Sequence, residues 1–248
     1  MPYKGWKENI ISMENDNRKS KITKHKNLTI AKITGFMDKL LETDPAKADK
    51  LCYWLEQYTD YLETEASFSP KNLKSYKRGE VIKANLGFNI GSEEGGLHYC
   101  VVLEKNNPVN SSVVTVVPLT SVKPHTDVNK LNGNKIYLGN SLQSKLKEKQ
   151  EKIEKNLNET ISQLANAASE EIDQIMNKAM FFLNQRDAIN KEIDRMKSGS
   201  IALVGQITTI SKLRIYDPKK NKDVLANIKL PNEYLDKIDT EIKHLFVN

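Results

Sequence analysis

Between residues 77 and 140 the apolar residues come in short runs, and clusters of turn formers separate them. Glu80 to Asn85, His98 to Glu104, Ser112 to Leu119 and Lys135 to Leu138 are rich in Val, Ile and Tyr and bounded by Gly, Asn and Pro, which predicts four short strands. The pattern returns at Ser200 to Ile210, then at Leu213 to Tyr216 and Val224 to Lys229. Several short strands imply a small barrel or sandwich.

Elsewhere the spacing is helical. Ile30, Ile33, Met37, Leu40 and Leu41 predict a helix capped at Thr29. Asp44-Pro45 reads as the N-cap and first-turn proline of a second helix, with Ala48, Leu51, Leu55, Tyr58 and Leu62 on its inner face. The two predict an N-terminal helical hairpin over 28–66, and the aperiodic, turn-rich stretch from Ser67 to Ser75 ends that region. A last helix follows Pro231, with Leu235, Ile238, Ile242 and Leu245 in one stripe.

Residues 141–197 contain neither Gly nor Pro, and apolar residues recur there every three or four positions in a coiled-coil-like pattern. As one rod this segment would run on the order of 85 Å at 1.5 Å per residue, yet the strands on either side must rejoin one domain. The expectation is an antiparallel helical hairpin inserted into a β domain, with its tip between Asn158 and Glu171, where the apolar residues shrink to Ala. The parts are thus a basic, disordered arm at 1–27, the hairpin at 28–66, a first β part at 77–140, the insertion at 141–197, and a second β part with its helix at 198–248.

Composition narrows the class. With 38% hydrophobic and 28% charged residues the chain reads as a globular protein. No apolar run approaches the roughly 20 residues of a membrane span, and the first residues do not resemble a secretory signal, so a cytoplasmic location is expected. Cys52 and Cys100 lack metal or redox spacing and read as core residues of a protein in a reducing compartment. Of the net charge of +6, residues 1–27 carry seven Lys/Arg against three Asp/Glu, a solvated basic tail without apolar period. The insertion carries ten of each, which argues against electrostatic RNA binding there and for protein contact, as a dimerisation arm or partner-binding rod.

Candidate chemistry is limited by what is missing from the sequence. Its four histidines form no ligand-spaced pair, and no phosphate-loop or dinucleotide fingerprint occurs, so neither a metal nor a nucleotide cofactor is expected. What remains is His98, which follows the turn Gly91-Ser-Glu-Glu-Gly-Gly96 at the beginning of a strand. Imidazole titrates near neutrality and suits proton transfer when RNA is cleaved by its own 2′-hydroxyl. That reaction also needs donors for the phosphoryl oxygens and cations for the backbone. Thr120 and Ser121 offer the hydroxyls, and Arg78, Lys212 and Arg214 the cations. A structural histidine at a strand edge is the competing reading.

Arg78-Gly-Glu-Val, the Gly-Ser-Glu-Glu-Gly-Gly turn, Val-Val-Leu, Val-Val-Pro-Leu-Thr-Ser121 and Gln206-Ile-Thr-Thr-Ile-Ser-Lys-Leu-Arg-Ile215 follow one another in order. In this the chain resembles the MazF/PemK family of toxin endoribonucleases over 77–140 and 198–248. The resemblance implies an α+β protein built on a small CcdB/MazF-like (SH3-like) β-barrel that dimerises, is neutralised by a cognate antitoxin and cleaves single-stranded RNA (mRNA) without a metal. Thr120 matches the family's active-site threonine, and His98 stands where many members have an arginine. Histidine keeps proton transfer but gives up a permanent, forked cation. By the same resemblance Glu93, Gly95 and Gly96 match the loop before that position, and Gln206, Ser211 and Lys212 match a segment lining the RNA groove. The family pattern does not explain residues 1–76 or 141–197.

Two alternatives stand beside the nuclease: a binding barrel, and the 141–197 hairpin as the functional part, a dimerisation arm or partner-binding rod. Related barrels poison a topoisomerase, gyrase, through protein contact, so the barrel can be a non-catalytic binding module for such a target, an antitoxin or another partner, acting through its C-terminal residues. The N-terminal helices can equally be extra core or a partner surface.

Overall fold

A computed structural model describes residues 4–131, 133–196 and 199–247, with side chains from 17 onward. The chain divides into two units, 1–59 and 60–248. Among the described residues no helix is long and apolar enough to cross a membrane.

In the first unit, helix α1 (Lys4–Thr43) gives way after one residue to α2 (Pro45–Thr64), whose last turn belongs to the second unit. Asp44 makes the junction: its Oδ1 accepts from the Lys47 backbone N–H at 3.0 Å, and Pro45 cannot continue α1. Residues 4–27, expected as a disordered arm, are instead the first half of α1. No Gly or Pro occurs from Trp6 to Thr34, and Lys, Glu, Met and Ile sustain a helix without an apolar stripe, so Thr29 caps nothing. Residues 1–3 of that arm lie outside the described residues. The stripe read as the inner face of a closed hairpin is largely uncovered. Leu40 and Ala48 are buried, whereas Ile30, Ile33, Leu41 and Tyr58 are exposed, and so is Cys52, which was expected in a core.

Among the described residues the second unit holds nine strands: β1 (Tyr76–Lys77), β2 (Val81–Asn85), β3 (Leu97–Val102), β4 (Asn106–Asn107), β5 (Val113–Ser121), β6 (Lys135–Tyr137), β7 (Ser200–Leu203), β8 (Thr208–Ser211) and β9 (Ile215–Asp217). β1 pairs with β4, and the other seven form one antiparallel sheet in the order β6-β7-β5-β3-β2-β9, with β8 added to β5. β5 is the spine. Its first half pairs with β8 (Val113 opposite Ser211) and its end with β7 (Thr120 opposite Ile201), while β3 lies along its other edge. The run Ser200 to Ile210, read as one strand, is therefore two, broken by the turn Val204–Gln206, which moves the chain along β5. Residues 224–229 form no strand and contribute a single bridge, Glu80 to Lys229.

The expected closed barrel is not formed: among the described residues the ladders leave β6 and β9 as unpaired edges. The reason is coverage on both faces. Val81, Val101, Val117 and Leu119 face one apolar cluster, while Ile82, Ala84, Cys100, Val102, Val114 and Val116 face another. The first is closed by helices, and with both faces covered the strands read as continuous apolar runs.

Those helices are α3 (Ser141–Ser162), α4 (Ile172–Arg195) and α5 (Asn232–Phe246). α3 and α4 pack on one another, with the turn between them at 163–171. The pair is spliced into the turn of one β-hairpin, because β6 and β7 pair directly (Tyr137 opposite Ile201) and Leu138 and Gly139 bond Ser200 beyond them. Leu142, Leu146, Ile153 and Ile189 enter the same cluster as Leu235 and Ile238 of α5, so the root of the insertion is core. Farther out, Ile161, Ile172, Met176 and Met180 are exposed.

Candidate active site

The loop before β3 is pinched at its base. Leu86 N–H donates to the Gly96 carbonyl at 2.7 Å and Gly96 N–H to the Gly87 carbonyl at 2.6 Å, while Asn85 Oδ1 accepts from Gly87 N–H. A Cβ on Gly95 would sit 2.7 Å from the Gly87 oxygen, so this closure admits only glycine there. Gln206 ties the tip: its Oε1 accepts from Glu94 N–H at 2.6 Å and its Nε2 donates to the Ser92 carbonyl. Glu94 is thereby held beside His98, with Oε1 3.1 Å from Nδ1. Nδ1 also lies 3.0 Å from the Leu119 carbonyl oxygen, which can only accept. Nδ1 is therefore the donor, and Nε2 makes no hydrogen bond among the described residues.

Thr120 reaches the same place through strand register. β3 and β5 pair Cys100 with Pro118 and Val101 with Val117, and two further steps set His98 opposite Thr120. Both line an open pocket of about 440 Å³ together with Lys83, Tyr99, Ser121 and Tyr216, and with Arg195 and Met196 from the end of the insertion. The hydroxyls of Thr120 and Ser121 make no hydrogen bond among the described residues. Across Glu94 lies a second pocket, of about 620 Å³, lined by Asn89, Glu93, Glu94, Gln206, Thr208 and Arg214.

A buried ion pair forms the pocket wall. The Lys83 ammonium and the Tyr99 hydroxyl both donate to Glu192 Oε1, and Arg195 Nη1 lies 3.3 Å from Oε2. Burial pushes the Glu192 carboxyl up, but the hydrogen bonds from Lys83 and Tyr99 and the charges of Lys83 and Arg195 outweigh it and hold the group below the usual carboxylate range. Tyr99 moves the other way, raised by burial and then by its bond to Glu192. Burial, with the charge of Glu94, pushes the Cys100 thiol up to about 12, so it is inert.

Of the residues singled out in the sequence, His98, Thr120 and Ser121 come together in the first pocket, and Glu93, Gln206 and Arg214 line the second; Gly95 and Gly96 shape the loop between. Arg214 donates from Nε to the Asn85 carbonyl at 2.7 Å. Three others lie apart. Arg78 bonds the Leu103 carbonyl and pairs with Asp239 of α5, which makes it a strut between sheet and helix. Lys212 is 1% exposed, its ammonium on the Pro108 carbonyl and over the Tyr76 ring, and burial lowers its pKa. Ser211 caps a turn by accepting from Leu213 N–H, opposite Val113 and about 23 Å along β5 from Thr120. The sequence reading missed Lys83, Glu94, Tyr99, Glu192, Arg195 and Tyr216. A lysine inside the apolar run Val-Ile-Lys-Ala was a usable signal, since a charge inside a covered strand requires a partner. Nothing local marked Glu192 and Arg195.

Among the described residues no group of three or more His, Cys, Asp or Glu side chains is arranged to hold a metal ion. No curated protein matches the sequence at a significant level. Residues 77–183, which carry His98, Thr120 and the first three quarters or so of the insertion, match the family model described as PemK-like, MazF-like toxin of type II toxin-antitoxin system. The match runs into the insertion and stops before 198–248, whereas the motif reading had left the former out and taken the latter in. Over residues 77–183, therefore, the chain is similar to the PemK-like, MazF-like toxins of type II toxin-antitoxin systems.

Proposed function

We propose that this protein is the toxin of a toxin-antitoxin pair and that it cleaves single-stranded RNA with His98 and Thr120, without a metal. The observation that carries this reading is the arrangement on His98: Nδ1 faces two acceptors, Nε2 makes no hydrogen bond among the described residues, and the ring shares an open pocket with the unpartnered hydroxyl of Thr120. Nε2 takes the proton of a ribose 2′-hydroxyl as that oxygen attacks phosphorus, and Glu94 stabilises the imidazolium that forms. Thr120, assisted by Ser121, donates to a phosphoryl oxygen as charge builds there. The bond to the 5′-oxygen breaks, the imidazolium returns its proton to that oxygen, and the products end in 2′,3′-cyclic phosphate and 5′-hydroxyl. The second pocket, with Arg214, Gln206 and Glu93, extends the path for the RNA beyond Glu94. A cognate antitoxin and a second copy of the chain are the partners this reading implies.

The test is purified protein incubated with mixed single-stranded RNA in EDTA. Fragments with cyclic or 3′-phosphate ends are expected, and none from His98→Ala. Intact RNA after incubation with folded, antitoxin-free protein would overturn the proposal.

A further inference from the structure

Among the described residues the pocket around His98 is lined by two cations that are not equivalent. Lys83 is 7% exposed, and its ammonium is bound to Glu192 and lies over the rings of Tyr99 and Tyr216. One negative charge is matched there by one positive charge. Arg195 touches the same carboxylate through a single nitrogen, Nη1 to Oε2 at 3.3 Å, makes no other hydrogen bond among the described residues, and leaves 63% of its side chain in solvent. Among the described residues it is the pocket cation that stays mostly in solvent, and most of its donor fork is unspent.

Attack on a phosphodiester concentrates negative charge on the phosphoryl oxygens. Thr120 brings a neutral hydroxyl, and a histidine acting as the base gains its proton only as the reaction runs, so neither supplies a standing positive charge. We propose that Arg195, delivered by the inserted hairpin, is the cation that holds the scissile phosphate, so that the insertion completes the active site. This rests on the endoribonuclease reading above.

The hairpin is built for that placement. Glu192 and Arg195 are three apart on α4, hence neighbours on one face. Glu192 is tied to β2 through Lys83 and to β3 through Tyr99, and Ile189 and Met196 sit in the main apolar cluster, so the last turn of α4 is fixed from both sides. The guanidinium is anchored through Nη1 on Glu192, and Arg195 lines the same pocket as His98 and Thr120.

The experiment uses the full chain as wild type, Arg195→Ala, Arg195→Lys and His98→Ala. Cleavage kinetics are measured on an RNA oligonucleotide spanning a mapped cut, with anisotropy binding of the same sequence as uncleavable 2′-O-methyl RNA. Arg195→Ala should melt like wild type, because the side chain is mostly in solvent, yet lose about 100-fold in kcat. Its affinity for the 2′-O-methyl probe should fall by a smaller factor, roughly tenfold or less, since the contact strengthens in the transition state. Arg195→Lys should recover the binding more than the rate. An Arg195→Ala enzyme within twofold of wild type in kcat and binding, beside an inactive His98→Ala, would overturn this inference alone. A wild-type protein that cleaves nothing would bring down the nuclease reading and this inference with it.

Discussion

Glu94 and His98 meet across the turn into β3, the carboxylate Oε1 3.1 Å from the ring Nδ1, and Gln206 holds the Glu94 backbone from the far side of the loop. An otherwise ordinary strand-edge histidine thereby has its Nδ1 held by a contact that depends on residues more than a hundred positions apart.

If that fixation supports proton transfer, the two residues differ in what their loss does. His98→Ala removes the base and should cost about 10²–10⁴ in kcat. Glu94→Gln keeps a neutral acceptor for Nδ1–H but withdraws the charge that stabilises the imidazolium, so a loss of roughly tenfold is expected, mainly in kcat. Single-turnover cleavage at saturating RNA checks both, and an undiminished Glu94→Gln enzyme would deny the carboxylate any part.

Gly95 tests the loop separately from the chemistry. A methyl group there would press on the Gly87 carbonyl at 2.7 Å and push the loop off its base, taking Glu94 with it. Gly95→Ala should therefore cost about 1–3 kcal/mol of stability and reduce cleavage beyond what the folded fraction explains. Denaturant titration beside initial rates separates the two effects.

The insertion should be graded in stability from root to tip. Leu146, fully buried in the main cluster, should cost about 2–5 kcal/mol on replacement by Ala. Ile161→Ala, at 46% exposure near the turn, should stay within about 0.5 kcal/mol. Urea unfolding of the two variants measures this, and excision of 141–197 should leave an unfolded chain rather than a trimmed sheet.

The titrations of the pocket wall give stability two limits in pH. The folded pKa of Tyr99 is raised, so its contribution is fully present below the unfolded value of about 10 and is lost as pH climbs above it. Tyr76, raised chiefly by burial with Glu80 adding, acts in the same direction. Glu192 is lowered, so its contribution is present above about 4.5 and is lost as pH falls through the folded value. Melting temperature against pH should drop at both ends, and Tyr99→Phe should soften the alkaline drop. An alkaline limb unchanged in Tyr99→Phe would show that this hydroxyl is not the titrating group.

Local pattern carried the element list a long way. Alternation and turn formers located the strands, and the absence of Gly and Pro across 141–197 together with a helical period revealed the insertion and its need to fold back. The motif order brought out His98, Thr120 and the loop between Gly91 and Gly96, because these lie close together along the chain. Where side chains point in space was another matter. Lys212 and Arg78 looked like free cations, yet one is sealed on the Pro108 carbonyl and the other spent on Asp239, since a long basic chain follows whichever partner the packing offers.

The insertion marks the boundary most clearly. Its balanced charge, summed along the chain, argued for a neutral rod, and a sum cannot say which single guanidinium is set beside a histidine nearly a hundred residues earlier. That pairing depends on β6 and β7 closing on one another and on Glu192 gathering Lys83, Tyr99 and Arg195 around one carboxylate. Spacing along a chain governs contacts within a turn or two of helix or strand; contacts between distant segments exist only once the apolar clusters have closed and fixed which faces meet.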